Sequence, residues 1–554
     1  MVEATKMMEE ETKLHIGISE EESMQQLRSK ATELLLREEW KDSIEAYSNF
    51  ITLCKKQIFH THLHSDNQLQ KLRKSLCLAF SNRAEARSRL REFQSALEDC
   101  DSALEIDGTH LKTLICKGKI LLNLNVYSMA LDCFRLALLD PQANGNSENL
   151  NGYVEKCKKL DFLSRTGALD LSDWVSNGFR GKCPELAEFV GSCVQIKRSE
   201  ISGRGLFATK NIDAGTLVLV TKAIAMERSI LGGKDLSEEA QLVMWKNFID
   251  KVSDFIRKCH RTGNLISKLS SGEDEEMLEV PDIALFKPET GENKNKKSSD
   301  SENEKVDMGK LLSILDVNSL TEDAVSANVL GNKSNDFYGV GLWLLPSFIN
   351  HSCCPNSRRL HVGDYLILHA SKDIKAGEEI TFAYFDPLSP LHKRKEMSMT
   401  WGIQCRCKRC KFESEMLSKQ EMKEIEIGIE RGMDVGGAVY KLEEEMKRWK
   451  VRGKEKGYVR ASFWAAYSEV YRSDRCMKRW GRRIPAMEAV VYSIIEVMGG
   501  DERLLKIVME EMKKNGGGLV EMEKALKLAR DVYGKVVKKQ AMRALLELCV
   551  ATND

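Results

Sequence analysis

Long apolar runs are missing from this sequence, and no stretch approaches the roughly 18 residues that a membrane span requires. The start, Met1 to His15, is polar and acidic, unlike a signal peptide. Net charge is nearly absent too, because 84 Lys and Arg oppose 83 Asp and Glu. Nothing global therefore favours nucleic acid or a membrane surface. We expect an intracellular protein, located in the nucleus, the cytoplasm or both. We expect it to bind neither nucleic acid nor a membrane directly.

Proline is also scarce, with 9 in 554 residues, and only Pro485 follows Phe412. Because proline breaks helices, its scarcity in the last quarter of the chain permits long helices there. Apolar residues recur at helical steps in two stripes, which are Phe463, Tyr467, Val470 and Tyr471, and Leu519, Met522, Leu526, Ala529 and Tyr533. The pattern predicts a helical bundle over residues 414–554.

The 16 cysteines should be mostly reduced in an intracellular protein. Most lie singly in apolar helical patterns and are predicted to be small buried side chains, as at Cys77, Cys100, Cys116, Cys133 and Cys549. Two groups differ, one at Cys353 and Cys354 and one with the spacing C-x-C-x-x-C over 405–410. The second group offers three thiolates, whereas a structural zinc ion takes four ligands. A fourth ligand must come from elsewhere in the chain.

The N-terminal third repeats itself at a shift of 34 residues. The aligned pairs are Ala84 with Gly118, Phe93 with Tyr127, Ala96 with Ala130, Cys100 with Phe134, Ala103 with Ala137, and Leu104 with Leu138. This period of about 34 and its alternation of small and large residues resemble tetratricopeptide repeats. An earlier copy fits Leu27–Leu53, and a helix over Asn149–Leu163 could cap the stack. We predict an α-solenoid of three repeats over residues 22–165.

The resemblance implies a concave groove, which would either hold a peptide partner or dock internally. Repeats of this kind that clamp chaperone C-termini use basic and amide side chains at five positions. The matching residues here are Arg28, Thr32, Asn82, Lys112 and Cys116. Two of these five agree with the clamp, and Arg28 is a conservative replacement. The sequence therefore leaves both uses of the groove open.

Short β-branched runs begin near Val194, and four dispersed motifs follow in order. They are Gly203-Arg-Gly205, Phe348-Ile-Asn-His-Ser-Cys-Cys-Pro-Asn356, Gly377-Glu-Glu-Ile-Thr-Phe-Ala-Tyr384 and the cysteine cluster. Together they resemble the SET-domain family of S-adenosylmethionine-dependent protein-lysine methyltransferases. The resemblance implies a β-rich SET domain over 190–386 and a post-SET zinc-binding segment over 387–413. The predicted fold class is thus α+β multidomain, from solenoid to SET domain to helical bundle.

An insertion at about 230–334 interrupts this SET domain. We predict a helix over Leu236–Cys259 and a charged surface loop over Pro288–Lys305. The motifs are closest to the SET-and-MYND branch of the family, which carries a Cys/His zinc module in this general region. Only Cys259 and His260 occur here. We therefore expect a relative of that branch without its MYND finger.

The resemblance implies roles for the residues around the cofactor, S-adenosyl-L-methionine. Gly203, Arg204 and Gly205 would cradle its methionine end, where glycines allow close backbone approach. The amide of Asn350 would fix the amino-acid group. The ring and backbone of His351 would meet the adenine side.

Tyr384 is the residue expected at the reaction centre, with its hydroxyl beside the transferring methyl and the target nitrogen. Phe382, on the same face of a strand over 380–384, could wall the lysine channel. Asn328 matches a second cofactor-binding asparagine of the related branch. Either Trp401 or Ile403 should cover the adenine base.

The resemblance also completes the metal site. It supplies Cys353 as the fourth zinc ligand beside Cys405, Cys407 and Cys410, with Cys354 as an alternative. The zinc would be structural and would hold the post-SET segment over the cofactor pocket. No Ser/His/Asp triad is expected, and none is seen, because methyl transfer requires alignment and exclusion of water more than acid–base catalysis.

These inferences predict an S-adenosylmethionine-dependent protein-lysine N-methyltransferase that acts on a histone or a non-histone protein. The alternative is a non-catalytic adaptor, in which the repeats bind a peptide and the SET fold is vestigial. The two hypotheses differ in whether the chain binds the cofactor and transfers its methyl group.

Overall fold

The computed structural model describes residues 22–61, 66–177, 184–230, 237–273, 275–287, 307–322, 337–417, 420–515 and 518–551. These residues form two compact units. The first unit holds the described residues up to Phe162 together with Asp254–Gly263. The second unit holds the described residues of Leu163–Ser253, Asn264–Lys287 and 307–551. The predicted α+β multidomain class is confirmed.

The first unit is built of helices that pack in sequence-adjacent pairs. They are α1 (22–36), α2 (Trp40–Thr61), α3 (Asp66–Arg89), α4 (Phe93–Ile106), α5 (Leu111–Asn123), α6 (Tyr127–Leu138) and α7 (Ser147–Thr166). Helix α3 packs against both α2 and α4, and α5 packs against α6. The predicted repeats and the capping helix are therefore present as helices, and the cap extends slightly beyond its predicted ends.

Small residues let these helices approach closely, as the 34-residue pattern predicts. Ala84, Ala96 and Ala130 have no exposed surface. At Gly118 the contact is closer still, because a Cβ there would lie 2.8 Å from the ring of Phe134. That ring stacks on Tyr153 of α7 with centroids 4.9 Å apart. Glycine is required at this position because the ring beneath it is held from the other side.

The second unit contains three antiparallel sheets, ordered β1-β4-β9-β8, β10-β3-β2 and β5-β7-β6. The strands are β1 (Phe189–Val190), β2 (Val194–Arg198), β3 (Arg204–Ala208), β4 (Leu217–Lys222), β5 (Ala225–Ile230), β6 (Leu320–Thr321), β7 (Phe337–Leu342), β8 (Ser357–Val362), β9 (Tyr365–Ala370) and β10 (Glu379–Ile380). Pairing of Glu379 with Phe207 and of Ile380 with Leu206 joins β10 to β3. This register places the Gly-Glu-Glu motif beside the Gly-Arg-Gly loop.

The predicted strand over 380–384 is shorter than expected. Only Glu379 and Ile380 lie in a ladder, and an isolated bridge joins Phe382 to His351. The chain leaves the sheet here because main-chain hydrogen bonds from 381–384 go to the 350–357 segment instead. The residues after Ile380 therefore belong to a crossing of two segments rather than to a sheet.

Helices make up most of the remaining described residues. After the short α8 (Ser172–Ser176), the insertion contributes α9 (Glu238–Lys258), α10 (His260–Ile266) and α11 (Met308–Asn318). The remaining helices are α12 (Leu391–Thr400), α13 (Lys408–Leu417), α14 (Gln420–Glu430), α15 (Val435–Arg448), α16 (Lys454–Ser462), α17 (Trp464–Arg472), α18 (Asp474–Trp480), α19 (Met487–Met498), α20 (Glu502–Asn515), α21 (Leu519–Tyr533) and α22 (Lys539–Ala551). The helix predicted over 236–259 matches α9, whereas the charged loop predicted over 288–305 lies outside the described residues.

The C-terminal helices share one apolar core with the sheet residues Val220, Leu360 and Ile367. Of the two predicted stripes, the first is buried along its length, with Tyr467 and Val470 fully enclosed. The prediction that Leu519 of the second stripe faces the core is wrong, since this first residue of α21 is 77% exposed. No helix in the described residues is both long enough and apolar enough to cross a membrane.

Replacing Gly118 with alanine should lower the free energy of unfolding of the helical unit by about 1–3 kcal/mol, because the new methyl overpacks against Phe134. Gly152→Ala is the matched control, since nothing lies within 4 Å of a Cβ there. That control should leave stability unchanged or raise it by up to about 1 kcal/mol. Urea unfolding followed by circular dichroism measures both, and equal effects of the two substitutions would contradict the packing argument.

Candidate functional site

Two chain segments cross at the centre of the second unit. The N–H of Phe382 donates to the carbonyl of Asn350 at 3.3 Å, and the N–H of Ser352 donates to the carbonyl of Phe382 at 3.1 Å. The predicted site residues Asn350, His351 and Tyr384 are brought together by this crossing. None of these contacts is local in sequence, so the crossing is a product of the tertiary fold.

The His351 side chain is buried and uses both ring nitrogens. Its Nδ1 accepts from the main-chain N–H of Tyr384 at 3.0 Å, so the proton is on Nε2, which donates to the Cys353 sulfur at 3.2 Å. The ring also stacks on Phe385 with centroids 4.3 Å apart. Both ring nitrogens therefore have partners within the chain, so the ring is held in place, and its contact with the adenine side of the cofactor stays a prediction.

The Tyr384 phenol points inward. Its hydroxyl donates to the carbonyl of Ile349 at 2.9 Å, and its ring packs near Phe382 and Trp401, with centroids 5.4 and 5.6 Å away. Burial raises the pKa of Tyr384 above its ordinary value. The hydroxyl is therefore a neutral group whose hydrogen is already used, and its lone pairs remain available.

A hairpin turn carries the Gly-Arg-Gly loop. Gly203 has φ +48°, a backbone conformation that L side chains rarely adopt. A Cβ at Gly205 would lie 2.2 Å from Oε1 of Glu379. The Asn350 amide closes this loop, because its Nδ2 donates to the carbonyls of Ser202 at 3.0 Å and Arg204 at 3.2 Å.

The Arg204 side chain turns away from the loop. Its guanidinium makes two hydrogen bonds to Glu275 of the insertion, at 2.6 and 3.0 Å, and donates to the carbonyls of Lys268 and Glu279. It also lies over the Phe348 ring. The expected cofactor role of Arg204 is thereby limited to its main chain.

Of the other predicted cofactor residues, Asn328 lies outside the described part of the chain. Trp401 directly follows α12 and is half-buried against Tyr384, whereas Ile403 is half-buried two residues further on.

Arg503 of α20 anchors the segment after Tyr384, because it makes a bidentate ion pair with Asp386 at 2.7 and 2.9 Å.

The four predicted metal ligands converge. Ligand atoms of Cys405, Cys407 and Cys410 lie within 4.8 Å of one another, as do those of His351, Cys353 and Cys405. The Cys353 thiol interacts with all three later thiols, Cys405 most strongly, and its pKa is raised. The pKa of Cys407 is lowered, chiefly by Cys353. Cysteine sulfurs are soft donors, so this cluster could hold a metal ion.

The alternative ligand Cys354 is directed elsewhere. Its thiol donates to the carbonyl of Val497 at 2.7 Å. Lys372 donates to the same carbonyl at 3.0 Å. Adjacent cysteines in one turn thus face different neighbours, and Cys353 is the one that faces the cluster.

Two arginines beside the cluster, Arg394 and Arg409, lie in the basic stretches 393–395 and 406–411, where charged side chains are ordinarily exposed to solvent. Arg394 and Arg409 are buried, with 1% and 0% exposure, and both pair with Glu413. Arg394 donates to the Cys410 sulfur at 3.3 Å, and Arg409 donates to the carbonyl of Cys353 at 3.2 Å. The four-residue spacing of Arg409 and Glu413 on one helix was a signal that could have indicated this pair.

In the first unit, the groove positions are only partly assembled. Lys112 donates to Asn82 at 2.8 Å and pairs with Glu85 at the same distance. The amide of Asn82 donates to the Tyr47 hydroxyl at 2.8 Å, which lies 3.0 Å from Thr32. Lys112 thus already has a carboxylate partner within the chain.

A family model described as the SET domain matches residues 203–385. The predicted SET domain is confirmed, and the crossing segments and the glycine loop all fall within or at the edges of this range.

Curated relatives support the same assignment at modest identity. A Gibberella zeae protein named "Methyltransferase" is 24% identical over 457 residues, covering 76% of this chain and 59% of that protein. Human "Histone-lysine N-methyltransferase SMYD3" is 34% identical over 118 residues, covering 20% of this chain and 25% of that one. "Histone-lysine N-methyltransferase SET5" of Meyerozyma guilliermondii is 43% identical over 79 residues, or 13% and 16% of the two chains. The chain spans less than two thirds of the length of each.

Two solved structures are similar to part of the chain. The TPR2B domain of yeast Sti1 in complex with an Hsp70 peptide is 19% identical, with a TM-score of 0.20 and coverage of 24% of this chain and 96% of that one. The myosin chaperone UNC-45 of C. elegans is 18% identical, with a TM-score of 0.21 and coverage of 28% and 15%.

Purified wild-type chain should contain about one zinc ion, measured by mass spectrometry, because four thiolates complete a tetrahedral site. Cys353→Ser should lose most of this metal, whereas Cys354→Ser should retain it. Equal metal loss in both variants, or retention in Cys353→Ser, would contradict the ligand assignment made from the geometry.

Proposed function

We propose that this protein is an S-adenosylmethionine-dependent protein-lysine N-methyltransferase. The observation that carries the proposal is the placement of the Tyr384 phenol, inward and neutral, at the crossing that also holds Asn350 and His351 in a SET domain. A retained but inactive fold has no need of a buried hydroxyl with its lone pairs available.

The residues near the glycine loop fit the methionine end of the cofactor. Nδ2 of Asn350 is taken by loop carbonyls, which leaves Oδ1 available as an acceptor. Gly203 and Gly205 have no side chains that would fill the loop, and both lie beside that amide. When bound there, the cofactor supplies an electrophilic methyl group. The main chain of His351 and the Trp401 or Ile403 side chains would contact the adenosine part.

Tyr384 acts by orientation rather than as a base. Its hydrogen is donated to Ile349, so its oxygen presents lone pairs to a neutral lysine amine and to the polarised methyl hydrogens. Since burial raises the pKa of Tyr384, the phenol stays protonated at neutral pH and cannot remove a proton from the lysine. The lysine must therefore lose its proton to water before or during entry.

The cysteine cluster would hold a structural zinc ion. Its four ligands come from the crossing (Cys353) and from the 405–410 segment, so the ion would fix these two parts of the chain together. Phe385 and Trp401 lie on the chain between the ligands, and both pack on the crossing. The metal would shape the lysine channel without contacting the reacting groups.

The substrate is a lysine side chain of a protein, histone or non-histone. The names of the curated relatives support this class, since SMYD3 and SET5 are both named histone-lysine methyltransferases. The repeats would add a peptide partner through the groove near Asn82 and Lys112, which would have to displace Glu85 from Lys112.

Tyr384→Phe should lower kcat for methyl transfer by at least roughly a hundredfold, since it removes the hydroxyl that is proposed to orient the amine. Cofactor affinity should change by less than about threefold, because the ring stays in place. Tritiated-methyl transfer to histones and to cell extract measures the first quantity, and calorimetry measures the second.

Tyr440→Phe is the matched control, because Tyr440 stacks on Trp480 in the C-terminal helices, far along the chain from the crossing. Full activity of Tyr384→Phe would contradict the role of this tyrosine. Wild-type protein that neither transfers methyl nor binds the cofactor would overturn the enzyme assignment and favour the adaptor.

A further inference from the structure

A carboxylate beside the glycine loop has no role in the proposal so far. Glu379, at the start of β10, is half-buried against the Cα of Gly205. Both of its oxygens lie 2.8 Å from the Ser199 hydroxyl, and Oε1 also accepts from Nδ2 of Asn350 at 2.7 Å. Its hydrogen-bond partners are thus two neutral groups on two separate segments.

No cation of the described residues pairs with Glu379. Arg204, whose main chain is adjacent, commits its guanidinium to Glu275 on the other side of the loop. Glu200 adds further negative charge nearby. A carboxylate that is partly removed from water and lacks a counter-charge is costly unless a ligand supplies that charge.

Glu379 also helps to fix the orientation of the Asn350 amide, with Nδ2 toward the carboxylate. Nδ2 carries two hydrogens and has three acceptors around it, which are Glu379 and the carbonyls of Ser202 and Arg204. The opposite orientation would bring Oδ1 against these three acceptors. Among the described residues Oδ1 has no donor, so the Glu379 carboxylate and the Asn350 amide oxygen can both still accept hydrogen bonds at this loop.

We propose that Glu379 is the binding residue for the α-ammonium group of the cofactor's methionine end, and that it holds Asn350 so that Oδ1 faces the same group. This inference rests on the proposed function. A positively charged donor satisfies both acceptors at once and supplies the counter-charge that the chain does not. The sulfonium is the other cation of the cofactor, and the ligand series below separates the two.

The test is calorimetric titration of the full chain with three ligands. S-adenosylmethionine carries both cations, S-adenosylhomocysteine carries only the ammonium, and 5′-methylthioadenosine carries neither. Glu379→Gln should weaken binding of the first two ligands by roughly tenfold to a hundredfold, as expected for loss of a charge-assisted hydrogen bond. It should change binding of 5′-methylthioadenosine by less than about twofold.

Glu378→Gln is the matched control, because Glu378 is the exposed neighbour in the same motif, bonded to the N–H of Lys375. It should leave all three affinities unchanged. Thermal melting of each variant reports folding. If the glutamine variant does not melt cooperatively, Glu379→Asp takes its place, and its shorter carboxylate should give an intermediate loss for the two ammonium ligands alone.

Four results would overturn the inference. Unchanged S-adenosylmethionine affinity in Glu379→Gln removes the binding role, and an equal loss for all three ligands shows a merely structural role. A loss confined to S-adenosylmethionine assigns the residue to the sulfonium instead. These three results leave the methyltransferase proposal intact. If wild-type protein binds neither S-adenosylmethionine nor S-adenosylhomocysteine, the proposed function fails and this inference fails with it.

Discussion

The site depends on one imidazole that two parts of the chain share. His351 accepts from the main chain of Tyr384 with one nitrogen and donates to the Cys353 sulfur with the other. The ring therefore couples the position of Tyr384 to the thiol cluster. An imidazole with its proton on Nδ1 instead of Nε2 could not make both bonds. These two contacts fix where the crossing segments lie relative to Cys353.

Buried charges lie beside the cysteine cluster. Two guanidinium groups, of Arg394 and Arg409, face one carboxylate, Glu413, and the Ser462 hydroxyl of α16 bonds to all three side chains. The arrangement carries one uncompensated positive charge, and Arg394 directs a donor at Cys410. Removing one partner of a buried pair of this kind typically costs about 3–5 kcal/mol. The C-terminal helices thus contribute to the site through electrostatics as well as through packing.

The motifs and their order could be predicted from the sequence, but the side chains that pack around them could not. Four short patterns predicted the SET domain, which is confirmed. The resemblance proposed Cys353 as a fourth metal ligand, and the structure places its sulfur beside the later thiols. The burial of Arg394 and Arg409 was not predicted, because a run of basic residues is expected to be exposed to solvent unless the buried carboxylate that pairs with it, here Glu413, is known. The resemblance gave the loop backbone at Arg204 and the His351 ring to the cofactor, but it could not show that the Arg204 guanidinium pairs with Glu275 or that the His351 nitrogens bond to Tyr384 and Cys353. Such contacts join residues separated by the insertion or by the crossing, and hydrophobic periodicity carries no information about them.

The ion pair between Arg503 and Asp386 has a consequence for where the functional unit ends. The family match stops at residue 385, one position short of that carboxylate. A fragment cut at the match boundary would keep Tyr384 but release it from its tether, and the tyrosine would sit on a fraying chain end. The smallest fragment that keeps this ion pair therefore extends more than a hundred residues further, to Arg503 in α20. The matched family segment is thus shorter than the segment needed to hold Tyr384 in place.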